Sequence, residues 1–227
     1  TVLVPNAEFK IFNIDKNEYV KQYTTYPSKV EHTSFFTDED GDLILPEALK
    51  IGNYRIEEVS APFGYVVNNK YVNISVDTDT AFETDGDTND AIITVEYSDA
   101  PAVGELTVEK KGEILDGFKG GFLASSYEKE FIYKEGSLAG AKFEVYAAED
   151  IYTADNQKDA DGNRIKYYSK GDLVTTLVTG EDGKAVAKNL PLGQYRVVEV
   201  EAPYGYVLNP NEQKVTFTYV DDKTPVI

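Results

Sequence analysis

Two glutamates stand where a β-strand pattern asks for apolar side chains, and a carboxylate aimed into a core invites chemistry. In Tyr54-Arg55-Ile56-Glu57-Glu58, and again in Tyr195-Arg196-Val197-Val198-Glu199, a Tyr, a β-branched residue and a Glu alternate. Glu58 and Glu199 therefore share a strand face with Tyr54, Ile56, Tyr195 and Val197. Such a residue is costly to bury unless it has a partner. Two other residues break the pattern in the same way. In Leu106-Thr107-Val108-Glu109-Lys110, Lys110 falls on the face of Leu106 and Val108 while Lys111 points away; in Ile92 to Asp99, Asp99 falls on the face of Ile93, Val95 and Tyr97. A Lys on a first strand, a Glu on a middle strand and an Asp on a last strand form the set needed for a spontaneous isopeptide bond from Lys to Asp or Asn. The amine must be neutral to attack and the Glu protonated to hydrogen-bond the acceptor carbonyl, and burial moves both groups in those directions. A fold that holds the atoms together has already met the entropy of encounter, and no cofactor is required. The amide would restrain the unfolded chain by the loop-closure logic of a disulfide.

Plainer roles exist for each residue. Glu58 and Glu199 could be strand-end carboxylates satisfied by backbone N–H groups or Tyr hydroxyls. A one-residue register slip would put Lys111 in place of Lys110, and Asp99 could simply end a strand ahead of Ala100-Pro101.

The elements that must position these residues occur twice. Tyr54 to Tyr65 and Tyr195 to Tyr206 both run through a Glu-bearing strand into Ala-Pro-aromatic-Gly-Tyr, 141 residues apart. Upstream, Ala7, Phe9 and Ile11 alternate as Ala141, Phe143 and Val145 do, and Phe35 to Gly41 matches Leu177 to Gly183, each a strand entering an acidic turn whose Gly takes positive φ. Tyr71 to Val76 and Lys214 to Tyr219 read as later strands. The chain is thus two copies of one β module, residues 1–100 and 105–227, joined by Ala100 to Gly104. The second carries an insertion between Lys111 and Gly140 with an extra strand at Phe131-Ile132-Tyr133, and a further excursion from Asp155 to Tyr168; a helical turn is expected near Ala147 to Tyr152. The fold class is all-β: two tandem Ig-like or prealbumin-like β-sandwiches, in keeping with 17 Tyr, 11 Phe and 17 Gly.

Composition narrows the partners. The net charge of −18 from 22 basic and 40 acidic residues opposes binding to nucleic acid and to anionic membrane surfaces. No run approaches the length of a membrane span. With no cysteine and one histidine, His32, thiol nucleophiles, Cys-ligated metals and multi-His zinc sites are excluded. Asp159-Ala160-Asp161-Gly162-Asn163 and Asp85 to Asp90 begin like calcium loops, but Lys170 stands where the first needs a bidentate Glu and Asp90 where the second needs Gly. They read as solvated acidic turns, so neither a metal nor any other cofactor is expected. No nucleophile-base-orienter set appears, and the only reaction expected is self-directed.

With these motifs in place, the sequence resembles the CnaB-type, or SpaA-like, prealbumin-like domains of Gram-positive pilins and cell-wall surface adhesins. The Glu-bearing strand and its turn look like Tyr54 to Tyr65 and Tyr195 to Tyr206. The family's opening Lys followed by Gly-Ala-x-Phe looks like Lys110 and then Gly140-Ala141-Lys142-Phe143; its closing Asn or Asp two residues before Pro looks like Asp99-Ala100-Pro101. The resemblance implies extracellular stalk modules with Glu58 and Glu199 promoting isopeptide formation, Lys110 as donor and Asp99 as acceptor. It implies partners in neighbouring modules of the same chain and a cell wall reached through a sortase signal outside this stretch. It also places the first domain's donor Lys before Thr1 and the second domain's acceptor after Ile227. The alternative is an adhesin module that binds a host or carbohydrate ligand, with the insertion and Tyr-rich loops as its surface.

Overall fold

The computed structural model describes residues 4–78, 83–84, 91–123, 126–154 and 157–227. Asp85 to Asp90, the second calcium-like stretch, lies outside them. The chain divides into two compact units: unit 1 holds Thr1–Ala102 with Tyr219–Pro225, and unit 2 holds Val103–Thr218 with Val226–Ile227. Every strand pair in both sheets described below is antiparallel.

In unit 1 the alternating Phe9 and Ile11 place Glu8–Asn13 (β1) at the centre of a sheet. It pairs on one side with Glu18–Tyr19 (β2) and Phe35–Phe36 (β3), and on the other with Gly52–Ser60 (β4). Tyr65–Val66 (β5) follows the Ala-Pro turn, and Tyr71–Val76 (β6) pairs with β4. Ile11, Phe35 and Tyr54 form the buried centre, with Leu43, Leu45, Leu49, Ile56 and Ile74 packed around it. Residues 93–99 alternate inward and outward as expected, yet among the described residues they join no strand, and pairing resumes only at Ala100–Pro101 (β7) against β5. Tyr97 anchors this segment: its hydroxyl donates to Ile56 O (2.6 Å) and accepts from Val72 N–H (3.1 Å), and its ring meets Phe9 edge-on. Tyr219–Pro225, read from the sequence as part of the second module, packs within unit 1. There Val67 N–H donates to Asp222 O (2.9 Å) and the Tyr219 hydroxyl to Tyr65 O (3.0 Å).

Unit 2 repeats the plan with a fuller core. Gly104–Glu109 (β8) runs into a hairpin of Lys111–Leu123 (β9) and Ser126–Ser137 (β10). Lys142–Ala147 (β11), Leu173–Val178 (β12), Lys184–Leu190 (β13), Gly193–Glu201 (β14) and Gln213–Phe217 (β15) follow. Strands β12, β11, β14 and β15 form one sheet in that order, and β8 pairs with β13. Leu106, Ala187 and Leu190 from the pair meet Val145, Leu177, Tyr195, Val197 and Phe217 from the sheet, giving a two-layer sandwich. Complete burial of Tyr195 requires its hydroxyl to be satisfied, and it donates to Pro191 O at 2.6 Å; Tyr54 does the same with Lys50 O at 2.7 Å. Gly41 and Gly183 both have positive φ in the acidic turns, and a Cβ on Gly183 would stand 2.7 Å from Lys110 O.

Two local expectations change. The helical turn near Ala147 to Tyr152 is instead a bend followed by the strand Ile151–Tyr152, because Ile151 is carried into the core and pairs with Tyr168. The extra strand at Phe131 to Tyr133 is the middle of β10, which spans 12 residues.

Candidate functional site

Lys110 follows β8 directly, and its backbone is pinned on both sides: its N–H donates to Gly183 O (2.8 Å), and its C=O accepts from Leu138 N–H (3.0 Å). The inward register then sends the side chain to Glu199 on β14. Nζ lies 2.7 Å from Oε1 and 2.8 Å from Oε2, with the Glu199 side chain 2% exposed and that of Lys110 15% exposed. Asn209 N–H donates to Oε2 at 2.9 Å. A β-bulge beside Phe143, the residue opposite Glu199 on β11, aims the carboxylate off the regular ladder. A cavity of about 260 Å³ lined by Leu106, Val108, Phe143, Val197 and Val215 adjoins the pair, with Glu199 in its wall. Lys111 points outward to Glu109 and Glu135.

Unit 1 builds the same seat, and among the described residues no amine lies against its Glu. Glu58 lies opposite Phe9 beside an identical bulge, and Asn68 N–H donates to its Oε2 at 2.5 Å. Asn68 and Asn209 occupy equivalent positions in the repeat, each ten residues after its Glu. Asp99 faces Glu58, and neither Glu58 Oε1 nor Asp99 Oδ1 meets a donor among the described residues. Two buried carboxyls in contact must share a proton. Burial, with the charges of Asp99 and Asp222 acting the same way against the Asn68 N–H, pushes Glu58 up to about 8; burial likewise raises Asp99. Lys10 lies on the opposite face of β1, across from Glu57 and over the Tyr19 ring. The structure thus brings Lys110 to Glu199 and Asp99 to Glu58. Backbone N–H donors to the two glutamates were among the plainer roles the sequence allowed; that Asn68 and Asn209 supply them was not named, although two Asn at matching places in the repeat were a signal.

The raised Glu58 carries a testable consequence. The folded unit keeps a proton that the unfolded chain, with its ordinary value of 4.5, has released, so stability falls as pH rises from there toward about 8 and levels above it. The slope from this group is at most about 1.4 kcal/mol per pH unit. Glu58→Gln keeps the shape and loses the titration, so denaturant unfolding of that variant should show a flatter pH profile and a more stable unit 1 at neutral pH. Identical profiles for the two proteins would show that Glu58 does not hold the proton.

Asp159, first in the other calcium-like stretch, uses Oδ1 to cap its own turn, accepting from Asp161 N–H (3.0 Å) and Asn163 N–H (2.9 Å). No group of three or more metal-ligating side chains occurs among the described residues.

A family model for the SpaA prealbumin-like fold domain matches residues 2–90 and 128–226, once in each copy of the repeat. No curated protein matches. Among solved structures, the chain is similar over 95% of its length to the TIE protein of Bacillus anthracis at 24% identity and a TM-score of 0.47, spanning 28% of that protein. It is also similar to a D312A form of BcpA, the major pilin subunit of Bacillus cereus, at 13% identity and a TM-score of 0.32, covering 99% of this chain and 93% of the other. GBS52, the minor pilin of Streptococcus agalactiae, shows 16% identity and a TM-score of 0.30, with 100% and 82% covered. With the family model matched over most of its residues and an all-β sandwich architecture repeated twice, the chain belongs to the SpaA prealbumin-like fold domain family.

Proposed function

We propose that this chain is a pair of stalk modules, residues 1–100 and 105–227, of a Gram-positive cell-surface protein, a pilin subunit or an adhesin, strengthened by autocatalytic Lys to Asp or Asn isopeptide bonds. The observation that carries the reading is the buried Lys110–Glu199 contact, mirrored by Glu58 and Asp99 in the other unit. In a dry site a proton can pass from the Lys110 ammonium to the Glu199 carboxylate across their hydrogen bond, giving a neutral amine and a neutral acid in one step. The amine then attacks the side-chain carbonyl carbon of an acceptor on the closing strand, while the protonated Glu199 hydrogen-bonds the carbonyl oxygen. Collapse forms the amide and expels water from Asp or ammonia from Asn, with the proton returned through Glu199. Asp99 is the acceptor assigned to Glu58. The protein acts on no separate substrate and uses no cofactor. Its partners are adjoining modules and, through a sortase signal, the cell wall.

Antibodies to this chain should label intact cells that produce the parent protein as strongly as permeabilised ones. Labelling only after permeabilisation would remove the surface reading. The ligand-binding alternative is favoured by one observation, the exposed Leu115, Phe118, Phe131 and Tyr133 on the β9–β10 hairpin. Glycan-array binding that Phe118→Ala abolishes would establish it.

A further inference from the structure

The β9–β10 hairpin is a two-stranded ribbon, and among the described residues each strand pairs only with the other. Each therefore has one edge that no other strand covers, and on β9 the Tyr206 hydroxyl donates to Glu113 O (2.8 Å). The two edges differ. Strand β9 carries a bulge between Leu115 and Gly117 and glycines at 112, 117, 120 and 121, features that twist and blunt an edge. Strand β10 has no Pro, and no Gly before Gly136, and its register with β9 is regular from Ser126 to Ile132 and from Tyr133 to Ser137.

The side chains on β10 follow a particular order. Lys129-Glu130-Phe131-Ile132-Tyr133-Lys134-Glu135 reads, from its centre outward, Ile, then Phe and Tyr, then Glu and Lys, then Lys and Glu. Turned antiparallel to itself about Ile132, the stretch sets Phe131 opposite Tyr133, Glu130 opposite Lys134 and Lys129 opposite Glu135. Because a two-fold axis repeats each pairing, four oppositely charged pairs and two aromatic pairs flank a central Ile132–Ile132 contact. Residues that meet in this register are separated by an even number of positions, so they belong to the same edge set, and the open N–H and C=O groups of one copy face those of the other. A shift by one residue would oppose Lys129 to Lys134 and Glu128 to Glu135, so the charges also fix the register.

The local charge permits this where the chain as a whole opposes it. Residues 111–137 carry four basic and five acidic side chains, against a net −18 for the chain. Lys134, now 2.6 Å from Asp116, and Lys129, now over the Phe118 ring, both lie beside exposed partners, so neither must leave a buried site to reach across.

We infer that the β10 edge is a self-recognition site, through which a second copy of this chain adds antiparallel to form a continuous four-stranded sheet centred on Ile132. Phe131 and Tyr133 of the two copies lie on one face of that sheet, joined there by Leu115 and Phe118, which β9 places opposite Tyr133 and Phe131. These four residues are 54–57% exposed in the single chain.

Sedimentation velocity on the whole chain over a wide concentration range tests this. The wild type should show a concentration-dependent dimer. Glu130→Lys alone opposes like charges at two places, and so does Lys134→Glu; each should sediment as a monomer with an unchanged circular dichroism spectrum. An equimolar mixture of the two variants restores both pairings and should dimerise again. The chain has no cysteine, so Ile132→Cys supplies a single thiol at the two-fold axis, where opposed Cβ atoms lie roughly 4.5–5.5 Å apart, and should oxidise to a disulfide dimer more completely than Leu115→Cys. A wild type that stays monomeric throughout, or a dimer that survives both charge reversals, would overturn the assignment.

Discussion

Lys110→Ala should destabilise unit 2 by about 3–5 kcal/mol, the cost of leaving a buried carboxylate without its counter-ion. Glu199 is almost wholly enclosed, and the Asn209 N–H is the other donor it meets. The ammonium therefore supplies the main compensation for its burial. Lys110→Met combined with Glu199→Leu replaces the pair by apolar side chains facing Leu106, Val108 and Phe143, and should recover most of the stability, since a buried ion pair is rarely worth more than well-packed hydrocarbon. Hydrogen exchange resolves this by unit: β11 and β14 should lose protection in Lys110→Ala and regain it in the double variant, while β1 and β4 report unit 1 as an internal reference. A single variant that loses less than about 1 kcal/mol would show that the contact is no stronger than a surface pair.

The face assignments were legible because a half-buried strand has period two, and Tyr54, Ile56 and Glu58, like Tyr195, Val197 and Glu199, cannot leave their face without a bulge. The same rule separated Lys110 from Lys111. The bulges themselves were not legible: nothing in Glu58-Val59-Ser60 or Glu199-Val200-Glu201 marks Val59 or Val200 as an extra residue, yet each re-aims a catalytic candidate. The amides of Asn68 and Asn209 were only half legible: the matching Asn marked the place in the repeat, but a backbone donor leaves no trace in residue type. At 147–152 the local order of small and acidic residues suggested a helical turn, and tertiary burial of Ile151 decided otherwise. The packing of Tyr219–Pro225 within unit 1 depends on contacts over 150 residues apart in sequence, such as Tyr219 with Tyr65, which no local pattern encodes.

The larger expected effect concerns the closing strand of unit 2. Val103 and Val226 pair in parallel, Ile227 N–H donates to Val103 O, and Glu105 N–H donates to Ile227 O. Carried forward from Val103 to Lys110, that register sets the sixth position past Ile227 opposite Lys110. Appending a second copy of Thr94 to Asp99 after Ile227 should therefore deliver a carboxyl to the Lys110–Glu199 pair. The amide would close a loop of roughly 120 residues and add about 4–5 kcal/mol by loop closure alone.

Intact mass of that lengthened chain reads self-directed cross-linking without any other assay. The product should be lighter by one water, formed without added enzyme or cofactor, with the cross-link mapped to Lys110 and the last added residue, and no water should be lost when Lys110→Ala or Glu199→Ala is introduced. A full, unreduced mass in a lengthened chain whose new strand is protected from hydrogen exchange would contradict it.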